Sequence, residues 1–170
     1  LDVFRRLGIP VELVDARADF LDALRGITDP EKKRQAITDT FYKKVFGAQE
    51  TARLAKSDGR IWHCELRVGD SVLYVSDELP HSSVHAPSPE AFASTAIQIY
   101  VKDVDAVYRR ALEAGARSLR SVADAFWGDR MGIIADPFGH TWVISTHVKD
   151  VPAEEVRRFG EELTRESALQ

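Results

Sequence analysis

The sequence predicts an α+β fold: two β-α-β-β-β modules in tandem, with an N-terminal helical extension and a C-terminal helix. Three observations predict it. Strand-like runs crowd between residues 50 and 76 and again between 95 and 146, each group accompanied by one amphipathic helix. The two groups echo each other: "FYKKVFGA" recurs as "VYRRALEAGA" at a shift of 66, and "RIWHCELRVGDSVLYVS" overlies "RMGIIADPFGHTWVIST" at a shift of 70. Finally, 170 residues with 44% apolar and 29% charged side chains suit one domain plus an extension, with enough chain to bury a core.

The elements follow in order. "VELVD" (11–15) reads as a short strand, and helices are expected around Ala16 to Leu24 and from Pro30 to Phe46. Asp29 caps the longer helix, Pro30 fits its first turn and Gly47 ends it, while Ile37, Phe41 and Val45 form its buried stripe. "ETARLAKS", "IWHCELRV" and "SVLYVS" read as strands. A Ser- and Pro-rich connector (78–94) leads to the strand "TAIQIYV". The helix "VDAVYRRALEAG" buries Val104, Val107, Ala111 and Leu112, and strands are expected around 117–122, 130–135 and 141–146. The tail "PAEEVRRFGEELTRESALQ" reads as a helix with a thin Val156/Phe159/Leu163 stripe.

Composition excludes several classes. A net charge of −4, with 23 basic residues spread along the chain, offers no attraction to nucleic acid or an anionic membrane. The single cysteine, Cys64, rules out an intramolecular disulfide and a multi-cysteine zinc site, and fits a reducing, cytoplasmic setting. No apolar run approaches the ~20 residues of a membrane helix.

Residues 41–147 resemble the vicinal-oxygen-chelate superfamily: glyoxalase I, extradiol dioxygenases, and bleomycin- and fosfomycin-resistance proteins. The resemblance rests on "FYKKVFGA", "DGRIWHCELRVGDSVLYVSDE", "YVKDVDAVYRRALEAGA" and "GDRMGIIADPFGHTWVISTH", about five eighths of the chain. It implies a concave pocket, each module supplying half. The first module's opening strand is missing from its expected place, because a shift of 66 lands on the charged, helical "DPEKKRQ" (29–35). Residues 1–41 instead resemble a stretch of the ATP-pyrophosphatase domain of GMP synthetase, through "VDAxxxFLxAL" and "GITDPEKKRQAI". The glycine- and serine-rich nucleotide loop "SGGVDS" of that enzyme has no counterpart here, so residues 1–40 read as a structural extension, 41–147 as the superfamily domain and 148–170 as a helical tail.

Metal enzymes of the superfamily take ligands from the first and fourth strands of each module. Their closing motif resembles "DPxGxxxE"; counting from Asp136 gives Val143, and its first-module counterpart is Leu73. The usual histidine position on "TAIQIYV" is Ala96. A divalent ion needs at least three N, O or S donors, which these aliphatic residues lack. No metal and no cofactor are therefore expected.

Strand alternation supplies the pocket candidates. If the apolar faces lie under the helices, His63, Glu65, Gln98 and Tyr100 point into the concavity, whose other side is apolar because Ile133 and Ala135 stand where the first module has His63 and Glu65; Val143 and Leu73 are further candidate ligand-binding residues. Trp127 is a candidate lid, and Arg130 a candidate anchor for an anion. His63 and Glu65, two apart on a strand, sit roughly 6.5–7 Å from each other and are the candidate acid/base pair; alternatively they hydrogen-bond neighbouring strands or each other. His81 and His85 have helical ligand spacing but lie among prolines, and Cys64 falls on the apolar face. The expected function is metal-independent binding of a small, partly aromatic organic molecule by a homodimer of the bleomycin-resistance type. The alternatives are a cofactor-free lyase, isomerase or cyclase using His63 or Glu65, and a metal-dependent glyoxalase- or dioxygenase-like enzyme.

Overall fold

The computed structural model describes residues 41–78, 85–87 and 93–167. The expected strand at 11–15, the helix around Ala16 to Leu24, the start of the longer helix, His81 and most of the connector lie outside the described residues.

The described chain opens in a helical segment, α1 (41–46), which buries Phe41, Tyr42 and Val45. Gly47 ends it with a φ of +66°, its amide bonded to the Lys43 carbonyl while Ala48 reaches back to Tyr42. These paired closing bonds need a left-handed residue after the last turn, and glycine supplies it without a Cβ clash. Strands β1 (Gln49–Ala55), β2 (Ile61–Val68) and β3 (Ser71–Val75) form an antiparallel sheet in the order β1-β2-β3. Strand β4 (Ala96–Tyr100) leads into helix α2 (Val104–Glu113), whose N-cap Asp103 accepts from the Ala106 amide. Strands β5 (Arg117–Asp124), β6 (Asp129–Ala135) and β7 (Thr141–His147) complete a second sheet, ordered β4-β7-β6-β5 with β4 parallel to β7. Helix α3 (Ala153–Ser167) closes the described chain. The expected α+β fold is thus present, the second module complete as β-α-β-β-β and the first described as α-β-β-β.

One core joins the two halves. Phe41, Val45, Cys64 and Leu66 are fully buried in the first; Val104, Ala111, Ile134, Trp142 and Ile144 are buried in the second. The Phe46 and Trp142 rings lie 4.6 Å apart between centroids, which ties α1 to the second sheet. Asp136 reinforces that join. It accepts from the Tyr42 hydroxyl at 2.7 Å and from Trp142 Nε1 at 3.0 Å, while its other oxygen takes the Phe138 and His140 amides. Burial, and then the neighbouring Asp136 carboxylate, push the Tyr42 phenol well above its ordinary value, so it remains a donor.

Two local readings are corrected. Alternation with Cys64, Leu66 and Val68 puts Trp62 on the apolar face of its strand, but it is exposed and Ile61 is buried. The cause is an irregular register at the end of β1, where Leu54 pairs with His63 but Ala55 pairs with Ile61. The constant shift of 70 also breaks at the hairpins. Val68 pairs with Ser71 across a two-residue turn, whereas Ala135 and Thr141 bracket the five residues 136–140 that wrap around Asp136. Val68 and Ala135 therefore lie 67 apart, while Ser71 and Thr141 keep the shift of 70.

Candidate functional site

The side of each sheet that faces its helix follows from burial and contact. In the second sheet, a Cβ on Gly132 would stand 2.8 Å from the Tyr108 ring of α2, so Gly132 and its pairing partner Ile144 face that helix. The neighbouring positions face away from it: Ala96, Gln98 and Tyr100 on β4, Val143, Ser145 and His147 on β7, and Asp129, Met131 and Ile133 on β6. Gln98 pairs with Val143, which pairs in turn with Ile133. Alternation read from the sequence places Gln98, Tyr100 and Val143 on this face, and the ladder brings them together.

At one end of this open face stands a buried carboxylate. Asp129 is 4% exposed, and its Oδ2 accepts from the Tyr100 hydroxyl at 2.7 Å and from Trp127 Nε1 at 3.0 Å. Its Oδ1 meets His147 Nδ1 at 3.0 Å, and His147 Nε2 meets Asp150 at 3.0 Å. Burial alone would raise the Asp129 pKa, but hydrogen bonds from His147, Tyr100 and Trp127 together lower it. His147 is raised, by its bond to Asp129 and then by Asp150. A carboxylate at each imidazole nitrogen favours the cationic ring, the form in which both nitrogens donate. Tyr100 and Trp127 remain 58% and 37% exposed, so one carboxylate fixes two aromatic rings beside the apolar strip. Trp127 is a near neighbour of Asp129 in sequence, but Tyr100 and His147 come from β4 and β7, and no local pattern connects them to it.

The other candidates are placed differently. His63 Nε2 lies 3.1 Å from Glu65 Oε1, the Thr51 hydroxyl bonds the second Glu65 oxygen at 3.3 Å, and the Tyr74 ring lies 5.1 Å from the His63 ring. The pair is on the face opposite buried Cys64 and Leu66, as alternation predicts, and its members bond each other and a neighbouring strand. Leu73 does not share that face. It pairs with Leu66 and packs against the core, while Tyr74 stands across from Glu65. Arg130 points to the helix side, where Asp105 grips it at 2.8 Å through two nitrogens and Asp124 adds a third contact at 3.0 Å. His85 bonds Glu78 at 2.7 Å. Cys64 is buried.

The described residues do not fit a metal of the superfamily's kind. Ala96 and Val143 bring no donor atom to the open face, and Leu73 lies on the other side of its sheet. Among the described residues, no three His, Cys, Asp or Glu converge to hold an ion.

The modules and this open face together define a class. Residues 36–144 match the family model of the Glyoxalase/Bleomycin resistance protein/Dioxygenase superfamily, and the chain belongs to that superfamily. The chain is similar to an uncharacterized protein of Mycobacterium bovis, 37% identical over 120 residues that span 69% of this chain and 79% of that one. It also resembles the crystal structure of TioX from Micromonospora sp. ML1, at 26% identity and a TM-score of 0.51, over 65% of this chain and 88% of that one. A separate, short likeness links it to the GMP synthase of Christiangramia forsetii: 56% identity over 41 residues, 24% of this chain and 8% of that enzyme.

Proposed function

We propose that the chain binds a small, partly aromatic organic molecule on the open face of its second sheet, without a metal. The observation that carries this reading is the pinning of Tyr100 and Trp127 by Asp129 beside the Gln98–Val143–Ile133 strip. Rings held in place lose little freedom when a ligand stacks on them, and the Gln98 amide supplies a directional hydrogen bond. Binding of this kind suits sequestration, as in resistance proteins of the superfamily. A homodimer in the cytoplasm is part of the proposal, and exposed Val148 and Phe159 offer apolar surface for pairing. No helix among the described residues is long and apolar enough to cross a membrane.

The test is a ligand-observed NMR screen of aromatic organic compounds against the full chain. Hits should lose at least tenfold in affinity with Gln98→Ala and with Tyr100→Phe, which frees the ring from Asp129. Hits unaffected by both substitutions would place binding elsewhere.

A second reading uses the His63–Glu65 pair as acid and base in a cofactor-free lyase, isomerase or cyclase. Its support is their 3.1 Å contact on an accessible face. It predicts turnover that His63→Ala abolishes while ligand binding survives.

A further inference from the structure

What β5 contributes to the open face of the second sheet is set by breaks in its register. Arg117 pairs with Ala135 and Ser118 with Ile134, but Arg120 pairs with Ile133. In a regular strand, residues three apart point to opposite sides of a sheet. Here the extra residue between Ser118 and Arg120 returns Arg117 and Arg120 to one side, that of Ala135 and Ile133. Contacts on the other side confirm this. The Ser118 hydroxyl accepts from Tyr108 of α2 at 2.6 Å, and Val122 stands with Tyr108 over Gly132. The strip therefore crosses all four strands: Gln98 on β4, Val143 on β7, Ile133 on β6 and Arg120 on β5. With neighbouring strands about 4.8 Å apart, roughly 14 Å separates the backbones of its two polar ends. Arg120 is exposed, and its guanidinium has no ion pair or hydrogen bond among the described residues. Arg130, by contrast, is held by Asp105 and Asp124 on the helix side. The buried acid of the open face, Asp129, does not cancel the charge of Arg120. It lies four residues from Ile133 along β6, roughly 13 Å, and its oxygens already take Tyr100, Trp127 and His147.

We propose that the ligand of the open face is a small aromatic acid whose anionic group is held by Arg120, which rests on the reading of that face as the binding site. The ring system lies over Val143 and Ile133, and the end remote from the acid meets the Gln98 amide. A guanidinium presents paired N–H donors that match both oxygens of a carboxylate, a geometry an ammonium lacks. Arg117, at the same edge opposite Ala135, adds positive potential there. A neutral aromatic of the same shape gains the apolar contact but leaves the guanidinium to water. The charge at the edge of the strip therefore selects among ligands that its apolar middle accepts alike.

The test compares two probes on the full chain by calorimetry: a biphenyl carboxylate with a hydroxyl at its far end, and the neutral carboxamide of the same skeleton. The acid should bind at least tenfold tighter than the amide, and the preference should shrink as salt is raised. Arg120→Gln should bring the acid down to the affinity of the amide and leave the amide unchanged. Arg120→Lys should keep part of the preference, since it retains charge without the paired donors. Both variants should melt with the unmodified chain, because Arg120 is exposed. Equal affinities of acid and amide in the unmodified chain would overturn the proposal without any variant. If Gln98→Ala still weakened both probes, the open face would stand as the binding site and only its preference for acids would fall. An acid preference that survives Arg120→Gln would also overturn the proposal, as would no binding of either probe at millimolar concentration. The broader screen for ligands of the open face is scored separately.

Discussion

Asp129 shows how much one buried carboxylate can organise. It holds a tyrosine from β4, a tryptophan from the turn after β5 and a histidine at the end of β7. His147, with a carboxylate at each ring nitrogen, should titrate above its ordinary value of 6.5. The sign follows from linkage: a group whose pKa is raised on folding contributes stability that is fully present below about 6.5 and is lost as pH rises through the folded value. An NMR titration of the His147 ring in the intact chain should give a midpoint above 6.5, moving down in Asp150→Asn. A midpoint at or below 6.5 would show that the imidazolium does not bridge the two carboxylates. At this scale the sequence was only partly legible. Alternation alone placed Gln98 and Tyr100 on one face, but Tyr100 and His147 are brought to Asp129 by tertiary structure. Arg130, one residue along, was read as a ligand anchor and instead clamps α2 through Asp105.

Among elements, the strands were legible wherever both alternation and punctuation were present. "IWHCELRV" is β2 to the residue, because Gly59 precedes it and Gly69 follows. Register was less legible. The hairpins β2–β3 and β6–β7 look equivalent by sequence, yet one closes over two residues and the other over five, and Leu73 therefore turns toward Leu66 rather than toward Glu65. A one-residue change of register moves a side chain to the opposite face, and apolar residues tolerate both. The turn between β5 and β6 depends on Gly128, whose φ is +102° and whose absent Cβ would collide with the Lys149 carbonyl. The Gly128 carbonyl also accepts the Val148 and Lys149 amides. Gly128→Ala should destabilise by about 2 kcal/mol or more in urea melts, combining left-handed strain with a backbone clash. A loss below about 0.5 kcal/mol would mean that the turn and the following segment shift freely.

For the whole molecule, the repeat pattern carried the fold and the mapped ligand positions carried the chemistry. The superfamily hosts many activities on one scaffold, so membership alone does not choose among them. What argues for binding without a metal is local: Ala96 and Val143 on the open face, with Tyr100 and Trp127 fixed beside them. The most direct test is native mass spectrometry of the full chain, purified without chelator and then exposed to Zn, Ni, Mn and Fe salts in turn. The account predicts a dimer mass with no stoichiometric ion, and an organic adduct when a screened aromatic ligand is added. One tightly held ion per chain, surviving buffer exchange, would contradict it and return the chain to the metal-dependent enzymes of its superfamily.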